Sequence, residues 1–494
     1  MNKTIFTWFF ILLMVAGTAR LKAQTAVPFP TLEADPKAYE YARQEQASWQ
    51  TLTELSLWAS GADGSATGKR QPFFEGLIRG AVDELRMSPA LPLYPREKGV
   101  FVLAFMHKKF LKTYAPYQVK LDTLLTSGTY NCVSSAVLYM ILAVSVGLDV
   151  KGVMTRDHAF VMVNAGGSLI LDVETANPLG FDPGTRREFH DNFHAVTGFT
   201  YVPARNYRDR ASISQLELVS LILSNRITEL ESRNRFNEAV PLAVNRAALL
   251  SQRRNPAASS FFSDPRKDLI DLLLNFGNSL VRAGKEEEAL RWAGLAEARY
   301  PDEEWQDFIY TVVNTRLVQM LQNQRISEAQ DLFNANLSRL SPGNAAAFRI
   351  MILDADLVQQ SSRIRSSDNA EAVLKLLDEV KTTSILPAGR IEELRTFVLL
   401  KAAELLALEK SSLEALKFIE AAITRYGKNS QLENSLQVFR TNRVAELHNT
   451  FVDLFNHRNY EGARQFILDA LKEFPGNRHL SADLELVEKA IKKK

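Results

Sequence analysis

The sequence predicts an α+β domain followed by an all-α array of helix pairs. Three observations carry this expectation. Between residues 130 and 174, one strongly apolar helical stretch precedes two short apolar runs that flank a glycine turn. After about Ile213, apolar residues recur at helical spacing with almost no strand signal. In that second half, small residues and prolines return at a fixed interval, as in helical repeats. A chain of 494 residues exceeds what a single core organises, so two or three domains are expected.

The first 23 residues read as a secretory signal peptide. Lys3 supplies a positive start, Ile5 to Ala16 form an apolar run, and Ala23-Gln24 is a plausible cleavage point. No Cys follows that run, so lipidation there is not expected. Residues 24–70 read as a helical or linker segment, with helical periodicity at Ala47 to Ala59. Helices are expected at Phe73 to Met87 and Lys98 to Tyr114. Ala136 to Leu148 is too short for a bilayer and is expected to be a buried helix. The mature chain therefore reads as exported, whether periplasmic, envelope-associated or secreted, with no stable membrane span.

Charge and composition exclude other classes. Hydrophobic residues at 46% and charged residues at 23% describe an ordinary folded protein. The formal charge is +2, and removing Lys3, Arg20 and Lys22 with the signal segment turns it slightly negative. No concentrated basic face emerges, so a nucleic-acid partner is not expected. No phosphate-binding loop or cofactor motif is found, and none is expected. His190 and His194 are four apart near Glu188 and Asp191. They lack both the zincin glutamate and an obvious third ligand, so no metal is expected.

The chain has one Cys, Cys132, which excludes an intrachain disulfide. The segment Ser127-Gly128-Thr129-Tyr130-Asn131-Cys132 is turn-rich, and Val133 to Val146 is an apolar helix. Cys132 thus falls at a helix N-terminus, where the dipole and free N–H groups favour a thiolate and an oxyanion. A thiol nucleophile needs a base. His158 opens the run His158-Ala159-Phe160-Val161-Met162-Val163-Asn164, which reads as a strand, and Leu169 to Glu174 reads as its antiparallel return. If Ala165 to Gly167 form a three-residue loop, residue 158 faces 174 and residue 160 faces 172. Asp172 is then the diagonal neighbour of His158, with Glu174 its rival. Tyr130 and Asn131 are candidates for lining the pocket or donating to an oxyanion, and His107 reads as structural.

Gly-Thr-Tyr-Asn-Cys heading a helix, His-Ala-Phe-Val opening a strand and Leu-Asp-Val-Glu-Thr on the next resemble the transglutaminase-like superfamily. The resemblance covers roughly Phe73 to Arg205, with the domain taken as 71–205. It implies a papain-like fold with Cys132 as nucleophile, His158 as base and Asp172 as orienting group. Phe160 stands where many members carry Trp, and Glu174-Thr175-Ala176 replaces the commoner Pro-Thr. Residues 206–215 read as a linker to a second domain, 216–490. There Leu273, Phe276, Gly277, Leu280, Ala289, Ala293, Ala296 and Pro301 resemble a tetratricopeptide repeat. Leu447, Leu454, Ala463, Ile467, Ala470 and Pro475 return the frame, and Ala239, Ala329, Ala372 and Ala415 mark weaker copies, about six helix pairs in all.

The resemblance to the branch joining these modules implies an exported cysteine-dependent acyl-transfer enzyme, by hydrolysis or amine transfer. Its repeats would bind a protein or peptide. The other expectation is an inactive transglutaminase-like adaptor that mediates protein–protein interaction at the cell envelope. The sequence leaves the oligomeric state open.

Overall fold

In this computed structural model the described residues are 28–44, 47–62, 70–202, 210–252 and 264–493. The expected signal segment, 1–23, lies outside them, as do residues 206–209 of the expected linker. Among the described residues 71% are helical, with a small sheet region. It divides into two units, residues 1–305 and 306–494.

Capping residues set out the first helices. Asp35 accepts from Lys37 N ahead of Pro36, which starts α1 (Pro36–Ala42). Ser48 accepts from Thr51 N and starts α2 (Trp49–Ser60), which Gly61 ends at φ 79°. Next come α3 (Arg70–Met87) and α4 (Pro95–Lys109), opened by Pro95. The expected helix to Tyr114 is therefore shorter, because Thr113 and Tyr114 form a strand, β1. Helix α5 (Leu121–Ser127) leads through Gly128, at φ 76°, into β2 (Thr129–Tyr130). Strand β2 pairs in parallel with β1 and delivers the chain to α6 (Cys132–Ser145).

Helix α6 organises the first unit. Every residue from Val133 to Ala143 is buried, and a helix apolar on all sides must be surrounded. Helices α2, α4 and α5 pack against it. So do β3 (Val150–Met154) and β4 (Ala159–Asn164). The sheet continues with β5 (Ile170–Val173); α7 (Arg187–Thr197) follows, then β6 (Ala211–Ile213). The four longer strands form an antiparallel sheet in the order β5-β4-β3-β6. Val161, Val163, Leu171 and Val173 belong to the same core as α6, while Met162 and Asp172 alternate with them and are only partly buried.

The stretch expected to link the two halves is instead partly structural. Ala211–Ile213 completes the sheet against β3, and α8 (Gln215–Ser232), capped by Ser214 and Glu217, packs on α2 and α6. Helix α9 (Phe236–Leu249) packs on α1 and α8, and α10 (Pro265–Arg282) and α11 (Glu286–Arg299) continue the pairing. The first helix pairs thus belong to the unit that carries the sheet. Residues 28–44 and 47–62 are equally part of it, with Leu52, Leu55 and Leu57 wholly buried.

After Ile213, every described element is helical. Beyond α11 these are α12 (Glu304–Gln322), α13 (Ile326–Asn336), a short 3-10 turn (Leu337–Arg339), α14 (Pro342–Ser362), α15 (Ser367–Thr383), α16 (Ala388–Glu409), α17 (Ser412–Tyr426), α18 (Ser430–Asn456), α19 (Tyr460–Glu473) and α20 (Arg478–Lys492). Within the second unit, neighbours from α13 to α20 pack in chain order. Small residues sit where the helices meet. Ala329, Ala415 and Ala463 are wholly buried, as are Ala239 and Ala289 in the first unit. Ala372 is exposed; Ala370, two residues earlier on α15, takes the buried place expected of it. Among the described residues, no helix is long and apolar enough to cross a membrane.

The joining of β6 to β3 has a steric test. A Cβ on Gly152 would lie 2.6 Å from Ile213 Cγ1 and 3.0 Å from Leu218 Cβ. Gly152→Val should therefore cost about 1–3 kcal/mol in urea unfolding, the usual range for overpacking a filled core. Unchanged stability would separate residues 211–218 from the sheet.

Candidate active site

The thiol is placed by a capping box. Asn131 Oδ1 accepts from Ser134 N at 3.0 Å, and Ser134 Oγ accepts from Asn131 N at 3.0 Å. Cys132 is the first residue of α6 and is partly exposed. The Asn131 side chain also donates to Pro116 O at 2.9 Å and is buried. Its amide therefore serves the cap rather than the oxyanion role expected of it. Tyr130 is likewise buried, and its hydroxyl donates to Ala176 O at 3.2 Å, so it packs and anchors rather than presenting a donor to the pocket. Burial, aided by the Glu174 carboxylate, pushes its phenol up to about 12.

His158 lies just before β4, in the turn from β3, where its carbonyl accepts from Thr155 N at 2.9 Å. Its ring lies between Phe160, centroids 5.9 Å apart and stacked, and Phe193, 6.0 Å and edge-on. The ring Nε2–H donates to Glu174 Oε2 at 2.6 Å, and the Cys132 side chain lies close enough to the imidazole to favour its charged form. The thiol, the imidazole and a carboxylate thus form one connected chain. Glu174 is 1% exposed and His158 14%, so the pair works in a largely dry setting.

The carboxylate is Glu174, not the expected Asp172, and the loop explains why. Asn164 pairs with Ile170, and Ala165 N donates to Leu169 O, so the turn spans Ala165–Leu169 rather than Ala165–Gly167. The longer loop keeps face parity but slides β5 by two residues. Asp172 then opposes Met162, about 13 Å along the strand from His158 at the usual rise per residue. Its carboxylate forms a two-pronged ion pair with Arg210, whose guanidinium lies 5.3 Å from the Phe160 ring centroid. Glu174 sits one residue past β5, where the backbone folds over and Glu174 N donates to Gly180 O at 2.8 Å.

Burial alone would push the His158 imidazolium down. The Glu174 charge, the hydrogen bond to Glu174 and the neighbouring Cys132 side chain outweigh that, so His158 stands well above its ordinary 6.5. Tyr114, which sequence reading placed in a helix, belongs to the site too. Its phenol is pushed up by burial and by the neighbouring Cys132 and Glu174 side chains. The signal for it was the repeated pair Thr113-Tyr114 and Thr129-Tyr130, two β-forming dipeptides that pair with each other. His190 and His194 lie on α7 away from this chain of contacts. His190 Nε2 is 3.3 Å from Gly184 O, and His194 is exposed. The chain matches no protein-family model and no curated protein.

A histidine whose folded value is raised holds its proton more tightly than the unfolded chain does. Its contribution to stability is complete below pH 6.5 and is lost as pH rises through the folded value. Urea unfolding should show this loss above pH 6.5, by at most about 1.4 kcal/mol per pH unit. Glu174→Gln should remove that slope and Asp172→Asn should keep it. The reverse pattern would restore Asp172 as the partner.

Proposed function

We propose that the protein is an exported cysteine-dependent acyl-transfer enzyme. Its first unit carries a transglutaminase-like site, and its helical array binds a protein or peptide. The observation that supports this most is the single chain of contacts from Cys132 through His158 to Glu174. A thiol at the first turn of a helix, an imidazole beside it and a buried carboxylate behind the ring are the parts that nucleophilic thiol chemistry needs.

The reaction is written accordingly. Cys132 Sγ attacks a carboxamide or peptide carbonyl carbon, and its proton resides on His158. The C–N bond breaks, His158 gives that proton to the departing amine, and a thioester remains on Cys132. Water or a second amine then attacks the thioester, passing a proton through His158 and freeing the thiol. Hydrolysis and amine transfer share every residue and differ only in the acceptor. Glu174 takes the orienting role, holding Nε2 so that Nδ1 is left for the thiol, and it stabilises the imidazolium.

Iodoacetamide labelling of the folded full chain tests the reading. Cys132 is the sole thiol, so Cys132→Ser should abolish labelling. His158→Ala should slow labelling near neutral pH and move its midpoint upward, whereas His194→Ala should leave both unchanged. Turnover of a peptide amide should fall on the order of a hundredfold or more in His158→Ala, the scale of lost general acid–base catalysis. A thiol that stays unlabelled until the chain is unfolded would favour the non-catalytic adaptor instead.

A further inference from the structure

The turn that carries Glu174 has an acceptor problem. Glu174, Thr175, Ala176 and Asn177 are all wholly buried, yet β5 ends at Val173, so the sheet ladder no longer pairs their carbonyls. Buried carbonyls need donors. Thr175 O is 3.0 Å from His107 Nε2 on α4, and Ala176 O accepts from the Tyr130 hydroxyl on β2. The His107 and Tyr130 rings meet edge-on, with centroids 6.2 Å apart. On its other side, the Thr175 hydroxyl lies 2.9 Å from Ser135 Oγ, which donates to Cys132 O at 3.2 Å. The Glu174 carboxylate itself accepts from Ala176 N at 3.2 Å. The frame that places the thiol therefore also grips the turn that places the carboxylate.

We propose that His107 is a positioning residue: its ring N–H holds the Thr175 carbonyl and so aims Glu174 at His158. The proposal rests on the thiol reading above. A carbonyl acceptor requires the proton on Nε2 but no charge on the ring. Burial pushes His107 down to about 4, against the opposing pull of the Thr175 carbonyl, so the ring is a neutral donor throughout the neutral range. A lysine or arginine donor would bring a second cation to the turn; the neutral ring does not.

The test uses the full chain with His107→Leu, which removes the donor, and His107→Gln, whose amide nitrogen reaches the place of Nε2. Two readouts are taken, the pH titration of His158 by NMR of labelled histidine and the rate of Cys132 alkylation. His107→Leu should move the His158 midpoint down and slow alkylation at pH 7 by about tenfold or more, as small misplacements in a site do. His107→Gln should restore both to within about twofold of wild type. A His158 midpoint unmoved in His107→Leu, or equal losses in Leu and Gln that follow thermal stability alone, would overturn the proposal. If His107→Leu does not fold, His107→Asn takes its place, since it withdraws the donor from the Nε2 position. Alkylation that ignores His158→Ala would overturn the thiol reading and this proposal together. Normal dependence on His158 with an inert His107→Leu would overturn this proposal alone.

Discussion

A carboxylate with 1% exposure cannot stand alone, because an unpaired buried charge costs several kcal/mol. Glu174 is answered by the His158 ring and by Ala176 N, and the rest of the first unit is arranged around that pairing. His158 must leave the β3–β4 turn at the right height, which the Thr155–His158 bond fixes. Gly180 must come close enough for its carbonyl to accept from Glu174 N, and no larger residue fits there. A Cβ on Gly180 would lie 1.9 Å from Glu174 O. The Arg186 guanidinium gathers the carbonyls of Leu179, Phe181 and Asp182 and closes the turn from outside.

The same logic accounts for the central helix. Helix α6 can be apolar on every face only because α2, α4, α5 and α8 surround it with β3 and β4. Its N-terminus is then a fixed point, held by the Asn131–Ser134 box and by β2 pairing with β1. Cys132 is thus set on a rigid element rather than a loop, which suits a group whose chemistry depends on placement. The early helix pairs contribute to this rigidity, since α8 shares the core of α6 and Arg226 donates to the Ala59 carbonyl at the end of α2.

Much of this arrangement was legible in the residues. Helical periodicity located α2, α3 and α6 to within a few positions, and the helix-start signature before Cys132 located the thiol. Recurring small residues marked the helix pairs at Ala239, Ala289, Ala329, Ala415 and Ala463. What could not be read was distance across the chain. Loop length is poorly encoded in Ala-Gly-Gly-Ser-Leu, and two extra residues made Glu174 rather than Asp172 the carboxylate that reaches His158. Ala211–Ile213 looked like a connector because three residues carry too little pattern to announce a strand. His107 meets the site only through packing, which no local pattern states, whereas Tyr114 was signalled only by the repeat of Thr-Tyr at 113–114 and 129–130.

The central claim is that Cys132 is a nucleophile driven by His158. It is tested most directly by intact-mass spectrometry of the folded chain after brief exposure to p-nitrophenyl acetate, with peptide mapping of the product. The account predicts one acetyl group on Cys132, formed quickly in the wild type, slowly in His158→Ala, and then lost as water resolves the thioester. Acetylation of Cys132 at the same rate with and without His158, or no thioester at all, would contradict it.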